Sequence, residues 1–298
     1  NHNTKSGLMK LCQRLGLERL AWSLRRLHCP VDDKALVLEV GSGGNPYFRA
    51  NVLLDAFEVT QQRHWAPLVA DRPTVLGTVE RLPFRDKAFD FVIASHVLEH
   101  SSNPEAFLSE LQRVAYAGYI EVPDAFMERL NPYRDHRLEI TVRDGTLVIW
   151  KKAAWQADPE LAELYEANAK GFITGEGIPK HPFAFHVRYY WQESISVQVL
   201  NPEVDATWDA PAETRTTPVI SLRARINTMV LSLARAMLSQ RLRNRSLKLD
   251  SLLACPSCRG TNLDIGKTVI HCLGCSTIYP IRNGLPAMFA DSGKYTVV

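Results

Sequence analysis

A strand-like run that leads directly into a glycine-rich turn constrains the fold of this chain more than any other feature. Residues 36–40 read Leu-Val-Leu-Glu-Val and are followed at once by Gly41-Ser42-Gly43-Gly44. Glycine is needed where the backbone takes a positive φ or where a ligand must approach the backbone closely. A helix that begins after such a turn offers unpaired N–H groups. The segment therefore predicts a strand, a ligand-binding turn and a helix.

Strand-like and helical segments alternate through the first half of the chain. Apolar runs typical of strands lie at residues 36–40, 52–55, 89–94 and 119–122, and a helix with one apolar face lies at 104–115. Strands that alternate with helices at this interval indicate a parallel, doubly wound sheet. The chain is thus predicted to have an α/β fold with a Rossmann-like, mostly parallel sheet.

The pattern changes after residue 123. Alternating runs at 138–142 and 147–150 flank Asp144-Gly145, which is a strong signal for a β-hairpin. Two more strand-like runs lie at 185–191 and 195–200. We expect these strands to form antiparallel additions to the main sheet. The aromatic residues of this region either line an acceptor pocket or, for most of them, form an ordinary core.

Residues 35–123 carry further motifs in a fixed order. Asp55 ends the second strand, and residues 77–84 read Gly-Thr-Val-Glu-Arg-Leu-Pro-Phe. Residues 89–92 then read Phe-Asp-Phe-Val, and residues 95–100 read Ser-His-Val-Leu-Glu-His. Together with the glycine turn, these motifs resemble the class I S-adenosylmethionine-dependent methyltransferases. A NAD-dependent dehydrogenase is disfavoured because the full Gly-x-Gly-x-x-Gly motif is absent.

The resemblance implies that S-adenosylmethionine is the cofactor and that Asp55 accepts hydrogen bonds from its ribose hydroxyls. Thr78 stands where the family often has an aspartate that binds adenine, so adenine recognition is expected from Glu80 and the backbone around Val79. The implied cofactor-binding residues are Glu39, Gly41, Ser42, Gly43, Asp55, Val79, Glu80 and Ser95.

A sulfonium methyl group is already activated, so the enzyme mainly has to align the acceptor and exclude water. A hydroxyl or amine acceptor is helped by a nearby base. The candidates are His96 and His100 after the fourth strand and His136 beyond the fifth, and each reads equally well as a structural histidine. We predict O- or N-methylation of an unidentified acceptor. The alternative is a catalytically silent scaffold or adaptor with a methyltransferase fold.

Four of the six cysteines form two Cys-x-x-Cys pairs, Cys255/Cys258 and Cys272/Cys275. Two such turns complete a closed tetrahedral Zn²⁺ site, whose role is structural because no coordination position is vacant. Residues 252–290 also resemble the small zinc-ribbon proteins that activate tRNA and protein methyltransferases as separate subunits. The resemblance implies that the ribbon covers an exposed sheet edge and stabilises the catalytic domain. Because the ribbon is fused, no separate activator subunit is expected.

Two segments are basic although the net charge is only +3. Residues 214–249 contain eight Lys or Arg and no Asp or Glu, and residues 1–30 are also rich in Lys and Arg. Both segments have apolar residues at helical spacing, which predicts basic amphipathic helices, the first over residues 8–28. If the apolar stripes are buried, the cationic faces are free to bind a polyanion, either an anionic membrane surface or RNA. The simpler interpretation is a solvated helix that joins two domains.

The predicted domains are a basic helix at 1–30, a methyltransferase domain at 31–210 with substrate-side additions at 124–200, a linker and basic helix at 211–250, and a zinc ribbon at 251–298. No run of about 18 apolar residues predicts a membrane-spanning helix. Residues 1–7 lack the charged-then-apolar order of a signal peptide. The paired cysteines favour a reducing compartment. We expect a cytoplasmic protein, with peripheral membrane association as an option.

Overall fold

The chain divides into two compact units. One contains Asn1–Pro30, Ala94–Pro104 and Ala117–Pro211, and the other contains Val31–Ile93, Glu105–Tyr116 and Ala212–Val298. The computed structural model describes residues 4–60, 66–130, 132–155, 159–209 and 222–290. The predicted boundary at residue 210, the start of the basic segment at 214–221 and the last eight residues of the predicted ribbon lie outside the described residues.

The strands are β1 (Val37–Val40), β2 (Val52–Asp55), β3 (Thr74–Leu76), β4 (Phe89–Ser95), β5 (Ala115–Pro123), β6 (Leu138–Arg143), β7 (Thr146–Lys151), β8 (His186–Gln192), β9 (Val197–Val199), β10 (Leu263–Ile265), β11 (Val269–Cys272), β12 (Ile278–Arg282) and β13 (Leu285–Pro286). The α-helices are α1 (Gly7–Arg14), α2 (Glu18–Leu24), α3 (Pro104–Val114), α4 (Ala125–Leu130), α5 (Pro159–Leu164), α6 (Lys170–Phe172), α7 (Ile178–Lys180), α8 (Pro182–Phe185), α9 (Leu222–Leu238) and α10 (Arg241–Ser246).

The predicted mostly parallel sheet is confirmed. Six strands form it in the order β3-β2-β1-β4-β5-β8. β1, β2 and β3 pair in parallel, with Leu38 opposite Val52 and Leu54 opposite Val75. Every residue of these three strands is buried, as expected for a sheet that is covered on both faces. β8 pairs antiparallel with β5.

The predicted hairpin is also confirmed. β6 and β7 pair antiparallel and are joined by Asp144 and Gly145, which have φ angles of 48° and 76°. Two central residues with positive φ are the mark of a tight hairpin turn whose twist matches that of the strands. β9 then adds to the free side of β7, in parallel, to complete a separate three-stranded sheet. Of the strands expected as antiparallel additions to the main sheet, only β8 joins it.

The N-terminal segment forms two helices rather than the single helix predicted over residues 8–28. α1 begins after Ser6, whose side chain accepts a hydrogen bond from the backbone N–H of Met9 at 3.2 Å. The chain then breaks at Gly16, which has a φ of 72°. That conformation is outside the helical range and favours glycine, so α2 starts again at Glu18.

The C-terminal ribbon is a four-stranded sheet, β10-β11-β12-β13, which lies in the same compact unit as β1, β2 and β3. Its last strand runs alongside β3, the edge strand of the main sheet. Leu76 and Ala287 form a parallel bridge, and the N–H of Met288 donates to the carbonyl of Leu76 at 2.7 Å. Leu76, Ala287 and Phe289 pack together as a small buried cluster. The ribbon therefore covers the β3 edge of the main sheet.

Where the side chains of α9 are described, from Met229 onward, the apolar stripe is not buried, so the assumption made from the sequence is wrong there. Met229, Val230, Leu233 and Met237 of this helix are all exposed, the last at 82%. Arg235 instead lies inward, with its Nε 3.5 Å from Oδ2 of Asp71. In the described part of the chain, none of the helices is long and apolar enough to cross a membrane.

Candidate functional site

The glycine turn after β1 has the backbone conformation that its sequence predicts, but the helix expected to follow it is absent. Residues 41–51 form only turns and irregular backbone before β2 begins. Gly41 and Gly43 have φ angles of 65° and 57°. A side chain at either position would be strained, because L-residues rarely adopt this conformation. The N–H of Ser42 donates to the carbonyl of Leu54 at 3.2 Å, which holds the turn against the end of β2.

Two buried carboxylates fix the shape of this turn. Glu39, at 3% exposure, accepts a hydrogen bond from the N–H of Tyr47 at 2.7 Å. Asp55, at 6% exposure, accepts one from the N–H of Gly43 at 2.9 Å and another from that of Phe57 at 3.0 Å. A carboxylate has about four acceptor positions, so Asp55 can still accept from ligand hydroxyls. The turn and its acidic residues are therefore preorganised.

The residues around the turn fit an adenosyl cofactor. The hydroxyl of Ser42 is buried and makes no hydrogen bond among the described residues, so a polar ligand atom beside it would satisfy it. In the same unit, Thr78 leads into a short 3₁₀ turn, Val79–Arg81, which places the half-buried Glu80 after β3. Ser95 belongs to the other unit, where its hydroxyl donates to Glu121 at 3.2 Å.

His96 is held between two buried carboxylates at the end of β4. Its Nδ1 lies 3.3 Å from Oε1 of Glu99, and its Nε2 lies 3.4 Å from Oε1 of Glu121. Burial by itself lowers the pKa of His96, but its contacts with the carboxylates of Glu121 and Glu99 outweigh burial and raise the pKa to about 10. A protonated imidazole donates hydrogen bonds, so this geometry favours His96 as a donor rather than a base.

Glu121 is the centre of a network that sequence analysis missed. Its carboxylate is fully buried, accepts two hydrogen bonds from Arg25 at 2.8 and 3.1 Å, and also accepts one from the hydroxyl of Tyr119. Burial raises the pKa of Glu121, but His96 and Arg25 hold it well below its usual value. A single acidic residue inside an otherwise apolar strand was the available signal, since a buried charge needs partners.

The other two candidate histidines come together beside Glu99, which also contacts His96. The rings of His100 and His136 meet edge to face at 4.7 Å between centroids. Nδ1 of His136 lies 2.7 Å from Oε2 of Glu128, and Nδ1 of His100 lies 3.2 Å from the carbonyl oxygen of Asp135. Burial lowers the pKa of His100, which favours its neutral form.

Two neighbouring cavities of about 380 and 480 Å³ lie beside α4, β6 and β7. Trp150 lines both, Phe126 lines the smaller and Trp155 lines the larger. By contrast, Tyr189 and Trp191 are buried core residues. The aromatic residues of this region are therefore divided between a core and an accessible surface.

The four predicted zinc ligands converge. Sγ of Cys255 lies 3.6 Å from that of Cys275, and Sγ of Cys258 lies 3.5 Å from that of Cys272. Tetrahedral Zn²⁺ with bonds of about 2.3 Å places its sulfur ligands about 3.8 Å apart, so the cluster fits the ion. Backbone N–H groups also point at the sulfurs, such as that of Gly260, 3.4 Å from Sγ of Cys258.

A second set of contacts fastens the ribbon to the catalytic part of its unit. Arg259, next to Cys258, donates to both oxygens of Glu110 on α3, at 2.6 and 2.8 Å. Burial raises the pKa of Glu110, but Arg113 and Arg259 lower it overall. Arg85 adds a hydrogen bond from its side chain to the carbonyl of Leu253 at 3.2 Å. The ribbon is thus joined through charged groups as well as through β3.

Two segments of the chain match known protein families. Residues 38–119 match the family described as methyltransferase domain, and residues 246–284 match the family described as Trm112p-like protein. No curated protein sequence matches the chain. The chain therefore combines a methyltransferase domain, which implies S-adenosylmethionine, with a C-terminal Trm112p-like domain.

Three of the similar solved structures are from different organisms. An S-adenosylmethionine-dependent methyltransferase from Thermotoga maritima is 18% identical over 39% of this chain and 55% of its own, with a TM-score of 0.28. A complex of the Haloferax volcanii Trm112 methyltransferase activator with a methyltransferase is 16% identical over 63% and 95%, with a TM-score of 0.35. An S-adenosylmethionine-dependent methyltransferase from Mesorhizobium loti is 10% identical over 58% and 96%, with a TM-score of 0.32.

Proposed function

We propose that this protein transfers the methyl group of S-adenosylmethionine to an oxygen or nitrogen atom of its acceptor. The observation that carries the proposal is the glycine turn with its two positive φ angles, held in place by the buried carboxylate of Asp55. When bound, the cofactor supplies an activated methyl group. The protein's own part is to bind the adenosyl group, to position the acceptor and to keep water out.

Individual residues have distinct roles in this proposal. Asp55 accepts from the ribose hydroxyls, the N–H groups of the glycine turn face the cofactor, and Glu80 with the backbone at Val79 contacts adenine. Among the three candidate bases, His100 suits proton acceptance best, because burial favours its neutral form. His96, held as a cation by Glu99 and Glu121, suits donation to an acceptor oxygen.

The test of this function is transfer of label. The protein is incubated with methyl-labelled S-adenosylmethionine and fractionated cell extract, and the products are identified by mass spectrometry. The expected result is a labelled product whose yield falls with Asp55→Asn at limiting cofactor concentration. Binding of the cofactor is measured separately by calorimetry. A folded protein that binds no cofactor and labels no fraction would instead act as a scaffold with a methyltransferase fold.

For the ribbon, we propose that it stabilises the catalytic domain from within the same chain. Three contacts support this role: the pairing of Ala287 with Leu76, the ion pair of Arg259 with Glu110, and the antiparallel bridge of Leu253 with Phe84. An uncovered edge strand exposes unpaired N–H and C=O groups, which favours pairing with other chains. A covalently attached ribbon removes the need for a separate activator subunit.

We also propose that the two helical segments bind an anionic membrane surface. On α1, Leu8, Leu11 and Leu15 are exposed at helical spacing, and Lys10 and Arg14 lie exposed beside them. α9 likewise exposes an apolar stripe, within a segment that contains eight cations. Exposed leucines next to cations suit the boundary between lipid headgroups and acyl chains, whereas RNA needs charge without an apolar stripe. The proposal therefore favours lipid over RNA.

A further inference from the structure

The carboxylate of Glu99 and the rings of His100 and His136 form a cluster that methyl transfer to a simple acceptor does not require. One potential ligand atom of each residue lies within 4.8 Å of those of the other two. The cluster is distinct from the zinc site, because all three residues belong to the unit that does not contain the ribbon. Its members come from the turn after β4 and from the loop before β6.

The hydrogen bonds of both histidines leave Nε2 as the nitrogen that is able to coordinate a metal. Nδ1 of His100 faces a carbonyl oxygen, which only accepts, so this nitrogen carries the proton and donates to Asp135. Nδ1 of His136 likewise donates to the carboxylate of Glu128 at 2.7 Å. With each Nδ1 protonated, the lone pair on Nε2 is the one left to coordinate. Histidine ligands in metal sites typically have their second nitrogen held in this way by a carboxylate or a carbonyl.

Glu99 supplies the third potential ligand. It is 2% exposed, and neither of its oxygens accepts a hydrogen bond of good geometry from the described residues. Its nearest positive group is Nδ1 of His96, 3.3 Å from Oε1, which leaves Oε2 unoccupied by that contact. A buried carboxylate is costly unless its oxygens are bonded, and a cation beside Oε2 would compensate the charge.

The surroundings of the cluster supply the remaining features of a metal site. Nζ of Lys152 lies 2.7 Å from Oε1 of Glu128, which fixes the carboxylate that orients His136. His100 is partly exposed, with a side-chain exposure of 20%, so an ion has access. Two imidazoles and one carboxylate suit Zn²⁺, Mn²⁺ or Fe²⁺, and three protein ligands leave positions open for water or a substrate oxygen.

We propose that Glu99, His100 and His136 bind one divalent transition-metal ion with open coordination positions, separate from the zinc of the ribbon. Such a site takes acceptors that present a hydroxyl or carboxylate oxygen. The ion would coordinate that oxygen and, for a hydroxyl, make its proton easier to remove. This role replaces proton acceptance by His100, whose Nε2 is then a metal ligand. This choice of acceptor class rests on the proposed methyl transfer, whereas binding of the ion does not. Binding of the ion and transfer of the methyl group are therefore tested in separate experiments.

The test uses the full-length protein with its ribbon already loaded with zinc. Samples are dialysed against Mn²⁺ or Zn²⁺, and the metal content per chain is measured by mass spectrometry. Binding of Mn²⁺ is followed by loss of the electron paramagnetic resonance signal of the free ion. Mn²⁺ is used because thiolates of the ribbon are poor ligands for it, so the signal reports the second site. The variants are Glu99→Gln, His136→Gln and Glu128→Gln. The control is His181→Gln, an exposed histidine of the same unit.

The wild type and His181→Gln are expected to bind one ion in addition to the ribbon zinc, and the added ion is expected to raise their melting temperature. Glu99→Gln and His136→Gln should lose it, and Glu128→Gln should weaken it by about 10–100-fold. If a variant fails to fold, the metal-dependent rise in melting temperature of the wild type still shows whether the protein binds an additional ion. A folded wild type that takes up neither ion beyond the ribbon zinc would overturn the proposal, and so would folded Glu99→Gln and His136→Gln variants that bind as the wild type does.

Discussion

Arg259 and Glu110 join the ribbon to helix α3 through two hydrogen bonds of 2.6 and 2.8 Å. The same carboxylate accepts from the backbone N–H of Leu82 at 2.8 Å and from Arg113. One side chain therefore holds the residue next to a zinc ligand, the loop after β3 and its own helix. Loss of the Glu110 side chain is therefore expected to affect the ribbon and the catalytic domain together.

Substitution of this pair should lower the stability of the whole protein. Glu110 is almost fully buried and Arg259 is about one third exposed. We expect Arg259→Ala to cost about 1–2 kcal/mol and Glu110→Ala about 3–5 kcal/mol, since removal of one partner leaves buried charge uncompensated. Denaturant unfolding measures both, with Lys267→Ala, an exposed ribbon residue, as the control. Equal stability of Arg259→Ala and the control would show that the pair contributes nothing.

Removal of zinc should unfold the ribbon and destabilise the catalytic domain. Without the ion nothing joins the two Cys-x-x-Cys turns, and a small metal-held domain is usually folded only when loaded. β13 then leaves β3, which exposes the sheet edge at Leu76. Thermal unfolding after chelation, and of Cys272→Ser, measures the effect. The matched control is Cys12→Ser, outside the ribbon. A catalytic transition that stays at the same temperature without zinc would contradict the stabilising role.

Asp55→Asn should weaken S-adenosylmethionine binding by about 1.5–3 kcal/mol, because two charge-assisted hydrogen bonds to the ribose are replaced by weaker ones. Asparagine keeps the side-chain shape, but its amide NH2 cannot accept, so one of the two hydrogen bonds from the N–H groups of Gly43 and Phe57 is also lost. Calorimetry gives the affinity and circular dichroism the fold. Asp71→Asn, a more exposed acid of the same unit, is the control. Unchanged affinity in folded Asp55→Asn would remove Asp55 from the cofactor site.

Arg25→Ala should destabilise the unit that contains β5. Arg25 compensates the fully buried Glu121 and stacks on Trp22, with its guanidinium carbon 3.8 Å from the ring centre. We expect a loss of about 3 kcal/mol, toward the lower end of the range for a broken buried pair because His96 remains beside Glu121. Chemical unfolding tests this value. Arg14→Ala, exposed on α1, is the control and should change stability by less than about 0.5 kcal/mol.

Binding to anionic vesicles should depend on leucines as well as on charge. In sedimentation with phosphatidylserine-containing vesicles, Leu8→Ser combined with Leu11→Ser is expected to reduce binding at least as much as Lys10→Ala combined with Arg14→Ala. Neutral vesicles and tRNA at matched salt serve as comparisons. Binding to tRNA that exceeds binding to vesicles would favour RNA, and no binding to either would leave these helices as solvated connectors.

The sequence specified those parts of the structure that depend on local geometry. Gly41, Gly43, Asp144 and Gly145 occupy positive-φ positions that few residues tolerate, so the cofactor turn and the hairpin were predictable. The four cysteines were predictable because thiolate pairs at this spacing have few other uses.

Features that depend on distant partners were not predictable. β3 has only three residues and is recognisable as a strand only through its pairing with β2. Glu121 meets Arg25, which lies 96 positions earlier, and no short motif links them. The direction of the α9 stripe is set by the inward ion pair of Arg235 with Asp71, another long-range contact. These three features are determined by tertiary contacts, which the local sequence pattern does not reveal.

The pairing of Leu76 with Ala287 affects when the main sheet can be completed during synthesis of the chain. These residues are about 210 positions apart, and a ribosome adds about 5–20 residues per second, so Leu76 is made about 10–40 s before its partner exists. During that interval the main sheet has an unprotected border while the chain is still growing. Nascent chains that end before the ribbon are therefore the form of this protein with the greatest need of a chaperone.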